Sequence, residues 1–481
     1  MDNASGSIAQ TIAVTPAPKP AAPRTRLLLE GPIVTTLLRL AAPNVVVNVV
    51  LIAVTATVDA HFIGRLGPSA LAGISLVFPM IMLMQQMANS SMGGAIASAV
   101  ARAIGAGRHT DASALVIHGI VVAAGMAAIF TAALLIGGPG IYALMGGAGV
   151  TRAAALQYSN AIFAGAFAYW LLSTLTSVVR GTGQAAVLAA TYVGAEALHI
   201  ILVPLLMFGI GPLPPLGIAG AGIATVASFV ASSAFLAWYI VSGRTGMTVS
   251  FRGVRLSRRL FVEILRVGAP MSLQPVLNNL ALATLTGFVG TLGAAQLAGF
   301  GVAARLEYLL YPLAFGLGAG VLAMVGTNIG AGNSSRAARI AWTAATLAAV
   351  VTGCIGLFGV TWPSAWARLF TTAPDVHALA ADYLLIAGLA YPFLGLGLTL
   401  ASAFQAAGRP LWPLLGITGR ALVVTLGGWI AIHLAGTGLA SLAVVAASGL
   451  IVYGASLAIA FRAGAWRTPR APASPGATKA R

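Results

Sequence analysis

The chain has 481 residues, of which 59% are hydrophobic and 7% charged, with a formal net charge of +17 and a mean hydropathy of +0.94. A soluble chain of this length carries charge on about a quarter of its residues, so this composition excludes a soluble globular protein and requires a surface that faces lipid. A single cysteine, Cys354, excludes disulfides and cysteine-based metal sites.

Residues 1–30 are rich in Ala, Pro and Thr, lack an apolar core of signal-peptide type, and read as a disordered arm. Beyond them, apolar runs of about 20 residues, the length that crosses a bilayer as helix, follow one another. Twelve are predicted, centred near residues 52, 82, 124, 166, 198, 230, 279, 312, 348, 391, 423 and 449. The first six occupy residues 31–241, a basic linker covers 242–260, the second six occupy 261–462, and 463–481 read as a disordered basic tail. With the N-terminus cytoplasmic and the spans alternating, 21 of the 26 Lys and Arg fall inside, and the outer loops keep only Arg65, Arg152 and Arg368. The positive-inside rule therefore sets both termini in the cytoplasm. Basic residues flanking spans explain the charge better than nucleic-acid binding does, so no nucleic acid is expected as a partner.

The chain repeats itself. FIGRLGPSALAGISL from Phe62 matches FVGTLGAAQLAGFGV from Phe288, LRLAAP at Leu38 matches LRVGAP at Leu265, and AIGAGRHTDA at Ala103 matches NIGAGNSSRA at Asn328, all at an offset of about 226 residues. Pro43 and Pro270 are equivalent in this repeat, which marks an architectural kink. Six spans per copy is an even number, so the copies are parallel and related by an axis along the membrane normal. The expected fold is thus an all-α integral membrane protein: twelve transmembrane helices in two six-helix parallel repeats, an N-lobe and a C-lobe with a cleft between them.

Polar residues inside the spans are the candidates for function. In the first span Asn44, Asn48, Thr55 and Asp59 fall within about 60° of one another at 100° per residue, a narrow polar stripe on a helix otherwise of Val, Leu, Ile and Ala. An ionised Asp at mid-bilayer costs roughly 3 kcal/mol and suggests a cavity or a partner; the bland reading pairs Asp59 with Arg65 or His61 at the interface. Its repeat equivalent is Leu285, so the fold itself needs no acid there. In the fifth span Tyr192, Glu196 and His199 share a face, and the last two can share a proton. A second Glu-x-x-His is missing, as is a His-Glu-x-x-His, so neither metal nor other cofactor is expected; a structural Glu–His pair is the competing reading. Gln85 and Asn89, then Asn278 and Tyr308, are further candidates to line a cavity for an amphipathic cation. Arg305 and Glu307, two residues apart, point to different sides, and either can pair with another helix; a structural ion pair or a lining role is favoured over direct coupling.

These residues carry a resemblance. LLRLAAP, an Asp near the end of the first span, FIGRLGPSALAG, GAIASAVARAIGAGR, RGTGQ, GIAGAGIATVAS, RLEYLLYPLAFGLGAG and VGTNIGAGN are similar to the multidrug and toxic compound extrusion (MATE) family, and the resemblance runs from about Gly31 to Phe461. It implies a two-lobed antiporter of the bacterial inner membrane, exporting cationic or amphipathic organic compounds in exchange for protons or sodium, with Asp59 at the family's first-helix carboxylate. The family's fifth-helix Asn and Asp stand here as His199 and Val203, and the NorM-type seventh-helix Glu and tenth-helix Asp as Asn278 and Leu394. The chain therefore resembles the DinF-type branch more closely, and a proton on Asp59 is expected over sodium. A monomer embedded in membrane lipid is the expected assembly. Two rival readings remain: a flippase for a lipid-linked saccharide, which would want a strongly cationic cavity where the spans offer only Arg305 and Arg420, and an intramembrane enzyme, for which no nucleophile–base set can be placed.

Overall fold

The computed structural model describes residues 23–209, 214–245, 255–434 and 438–467; the side chains of 23–24, 46–57, 59 and 60 also lie outside that description. Within a bilayer every backbone polar group needs an internal partner, and helix supplies it within one segment. The described residues are accordingly helical or in short connections, with no strand.

Twelve membrane-length segments follow in order. They are α1 (Ile33–Gly64), α2 (Pro68–Gly105), α3 (His109–Leu144), α4 (Gly149–Ala164 and Ala166–Gly181), α5 (Ala185–Phe208), α6 (Gly217–Val241), α7 (Arg258–Leu292), α8 (Ala294–Gly330), α9 (Ser334–Thr361), α10 (Pro374–Ala406), α11 (Leu411–His433) and α12 (Leu439–Arg462). All twelve predicted centres fall inside them. α4 is bent by 48° at Gly165, and α10 has a 3-10 turn at Gly388–Ala390, near the equivalent place in the second copy. α2 is interrupted by a π segment at Met87–Met92, and α8 breaks at Leu309. Pro43 and Pro270 lie inside α1 and α7. The repeat seen in the sequence thus extends to its irregularities.

Each copy forms its own bundle: α3, α4 and α6 pack together in one, α9, α10 and α12 in the other. Between the copies, contacts concentrate at the end of the bundle that carries the arginines, hereafter the basic end. There α8 packs against both α1 and the second half of α2. The duplicated IGAG motif explains the closeness. A Cβ on Gly105 would lie 2.0 Å from the carbonyl oxygen of Thr327, and one on Gly330 would lie 2.1 Å from that of Arg102. The two copies of one motif therefore meet each other, backbone against backbone, as small residues permit. Further bridges lie nearby: Gln405 donates to the carbonyls of Ser90 (2.9 Å) and Ser91 (3.0 Å), and Ser91 Oγ donates to the carbonyl of Met271 at 3.0 Å. The other halves of α2 and α8 pack within their own lobes, against α4 and α10 respectively. The lobes are joined at the basic end and part toward the opposite one.

Two terminal expectations need correction. The arm predicted as disordered through residue 30 ends in a helix, Pro23–Glu30. Its Leu28 is buried, its Leu28 carbonyl accepts from Asn328 Nδ2 at 3.0 Å, and Arg336 donates to the Gly31 carbonyl. The apolar triplet Leu27–Leu29 gives this stretch something to bury that the Ala/Pro-rich residues before it lack. At the other end Trp466, assigned to the disordered tail, is buried and stacks on Phe461 at 5.1 Å, an aromatic ring covering its apolar face.

Candidate functional site: polar clusters in two lobes

In the N-lobe, the stripe predicted on α1 is only partly described. Asn48, Thr55 and Asp59 lie on α1, but their side chains fall outside the described residues. Asn44 is buried, and its amide donates to the Leu40 carbonyl at 2.8 Å. α1 packs along α5, which brings Tyr192, Glu196 and His199 to the neighbouring helix. His199 is buried; Tyr192 and Glu196 are half-buried. The rings of Phe62 and Phe208, 6.3 Å apart, set the two helices in register. At 1.5 Å per residue, the Asp59 backbone then lies roughly 9 Å farther from the basic end than that of His199, and roughly 14 Å farther than that of Glu196.

A second N-lobe cluster joins α2 to α4. Asn89 sits in the π segment, which turns its side chain into the bundle. Its amide donates to Tyr169 Oη at 2.5 Å and accepts from Ser173 Oγ at 2.8 Å. Arg180 Nη1 donates to the Asn89 carbonyl at 3.4 Å. Tyr169 also meets Phe229 of α6 edge-on, 4.9 Å between centroids. The predicted neighbour Gln85 is half-buried on α2, a turn before this cluster. The network is neutral apart from Arg180, and it ties the middle of three helices together.

The C-lobe holds a charged cluster in the equivalent region. Arg420 of α11 donates from Nη2 to Glu307 Oε1 at 3.2 Å, from Nη1 to Asn278 Oδ1 at 3.0 Å, and from Nη1 to Tyr311 Oη at 3.3 Å. Both charged side chains are about a tenth exposed, at 9% for Arg420 and 12% for Glu307. Tyr311 Oη also donates to Asn278 Oδ1 at 3.4 Å. Tyr383, Tyr391 and Tyr453 are fully buried. The Tyr391 hydroxyl and Arg420 Nε have no hydrogen-bond partner among the described residues. Tyr308, proposed as lining from sequence, is 51% exposed; the tyrosine that reaches Asn278 is Tyr311, one helical turn on. Arg305, on another side of the helix from Glu307, places its guanidinium over the Phe370 ring at 4.6 Å.

The expected interhelical ion pair is thus found at Glu307. Its partner, Arg420, is 113 residues away in sequence. The available signal was that Glu307 and Arg420 are charged residues deep in otherwise apolar runs, each needing an opposite charge. Leu285, the repeat equivalent of Asp59, is 5% exposed and lies in the apolar core of the C-lobe, so the position that carries an acid in one lobe is ordinary packing in the other.

The MatE family model matches the chain twice, over residues 45–205 and 270–430, once in each lobe. Relatives include the FAD transporter of Shewanella oneidensis, 26% identical over 384 residues that make up 80% of this chain and 84% of that protein. The probable multidrug resistance protein YoeA of Bacillus subtilis is 26% identical over 364 residues, 73% of this chain and 76% of that one. Among solved structures, a MOP superfamily transporter from Pyrococcus furiosus has the same fold, with a TM-score of 0.83 at 24% identity over 93% of this chain and 99% of that one.

Proposed function

The chain belongs to the MatE family of membrane transporters, and from that premise we propose that it is a secondary antiporter of a bacterial inner membrane, exporting cationic or amphipathic organic compounds against an inward flow of protons. The observation that carries this reading is the joining of the two lobes at one end only. With the basic end cytoplasmic, the cleft faces the outside, one of the two states that alternating access requires.

Asp59 is the proposed proton carrier, with Glu196 and His199 on the adjacent helix as accessory groups. A carboxyl in a poorly solvated cavity favours its neutral form. Facing outward it takes a proton, which cancels the charge that held a cationic substrate. The substrate leaves, the lobes rock, and the proton is released inside. Each charge moved across the membrane potential supplies about 2.3 kcal/mol per 100 mV. The test is uptake of fluorescent cations into everted vesicles whose lumen is made acidic, with and without sodium. Asp59→Asn should abolish pH-driven export while leaving the protein in the membrane; export at the wild-type rate in that variant would refute the role.

A second reading has one supporting observation. The Shewanella relative is named for FAD, an anion, and the C-lobe holds a buried guanidinium, Arg420, within hydrogen-bonding distance of three polar side chains. An anionic amphipath would use that lobe. Inhibition of transport by flavin nucleotides, and not by organic cations, would favour it.

A further inference from the structure

At the basic end, two neighbouring cavities of about 480 Å³ each lie where α7 meets the α10–α11 connection. They share Arg266, Gly408 and Arg409 but differ in character. The first is lined by four arginines, Arg102, Arg259, Arg266 and Arg409, against one carboxylate, Glu263. The second is apolar, lined by Leu265, Pro270, Leu411 and Trp412 among others.

The charges in the first cavity do not cancel. Arg102 donates to the Ala406 carbonyl at 2.9 Å and makes a long ion pair with Glu263 at 3.4 Å. Arg259 pairs with Asp111 at 2.7 Å, an acid that also holds Arg108 at 2.9 Å. Arg266 and Arg409 have no carboxylate within ion-pair distance among the described residues; Arg409 donates only to the Arg467 carbonyl, at 3.0 Å. Arg266 and Arg409 therefore face one small space whose single carboxylate, Glu263, is engaged by Arg102, a geometry suited to the oxygens of a phosphodiester. Next to it the apolar cavity has Leu411 at 63% exposed, Trp412 at 41% and Leu265 at 40%. Exposed apolar groups at the membrane interface face acyl chains, and Trp sits preferentially at headgroup level.

We propose that these two cavities form one binding site for an anionic phospholipid, the phosphate at Arg266 and Arg409 and the upper acyl chain along Leu265, Pro270, Leu411 and Trp412. Basic pockets between spans on the cytoplasmic side have the chemistry to hold anionic headgroups. The charge balance and the joined apolar surface together select a lipid over a soluble anion, which would need only the first cavity. Because Arg102 comes from α2 of the N-lobe and Arg266 and Arg409 from the C-lobe, the headgroup lies against the junction at which the lobes meet.

Trp412 is a built-in reporter. The full-length protein is reconstituted in phosphatidylcholine vesicles carrying a minor fraction of bromine-labelled phosphatidylglycerol or bromine-labelled phosphatidylcholine, and the Trp412 contribution is isolated by subtracting Trp412→Phe. Brominated phosphatidylglycerol should quench that contribution several-fold more than brominated phosphatidylcholine. The preference should vanish in the Arg266→Ala/Arg409→Ala double variant and return in Arg266→Lys/Arg409→Lys, which keeps the charges and controls for folding. Equal quenching by the two lipids, or a preference that survives the double alanine variant, overturns the site. Relief of quenching by millimolar inorganic phosphate or glycerol phosphate also overturns it, since the ligand would then be a soluble anion.

Discussion

The two lobes share a scaffold and differ in how they carry charge. In the C-lobe the intramembrane acid Glu307 is held by Arg420, and Asn278 and Tyr311 complete the cluster. In the N-lobe the acids Asp59 and Glu196 stand on adjacent helices with His199, while the cluster around Asn89 is built from neutral groups and one arginine. Leu285 shows that the scaffold itself is indifferent to an acid at the Asp59 position. On the proposed cycle the C-lobe pair ties α8 to α11, and the N-lobe acids carry the protons.

Neutralising the acids of the two lobes should have the largest and most different effects. Asp59→Asn should remove pH-driven export entirely with little change in melting temperature in detergent, whereas Glu307→Gln should lower stability by about 3 kcal/mol, the cost of leaving a buried charge unpaired. If Glu307→Gln melts like the wild type and loses transport instead, the roles assigned to the two lobes are wrong. The double variant Glu307→Leu/Arg420→Leu should recover much of the lost stability, since neither charge is then stranded; a double variant no more stable than the single one would argue against the pair.

The joint between the lobes comes next in expected effect. Gly105→Val places side-chain atoms against the Thr327 carbonyl, where even a Cβ would sit at 2.0 Å, and should wedge the basic end open. Cysteines introduced near the junction should then label from the cytoplasmic side faster than in wild type, with transport lost. Unchanged labelling would show that the junction is looser than the structure has it. A smaller effect is expected from Asn89→Ala, which removes two side-chain hydrogen bonds and leaves Tyr169 Oη and Ser173 Oγ to find other partners, at about 1–3 kcal/mol. A melting temperature equal to the wild type would mean that water satisfies both hydroxyls.

Much of this architecture was legible in one dimension. The twelve spans and their division into two copies follow from run length and repeat offset, and the structure keeps both; residues 246–254 of the basic connection read from the charge bias lie outside the described residues. The IGAG repeat was visible as a motif, but not that its two copies touch. The docking of Leu28 and Trp466 was not legible because a short apolar triplet and a lone tryptophan give no periodicity to read. Which of two tyrosines a turn apart reaches Asn278 was likewise not legible: Tyr311 bonds it and Tyr308 is exposed.

The sequence by itself determined that the chain crosses a membrane twelve times, that it is built from two parallel copies, and that a single copy carries an acid on its first helix. Those are properties of local composition and of comparison between segments, and the bilayer enforces them by refusing unpaired backbone and charge. Tertiary structure alone decided that Glu307 meets Arg420, that Gly105 and Gly330 form the junction, and that a basic cavity abuts an apolar one beside it. Such meetings depend on the rotation and tilt of packed helices, which side-chain volume fixes only when all the neighbours are in place.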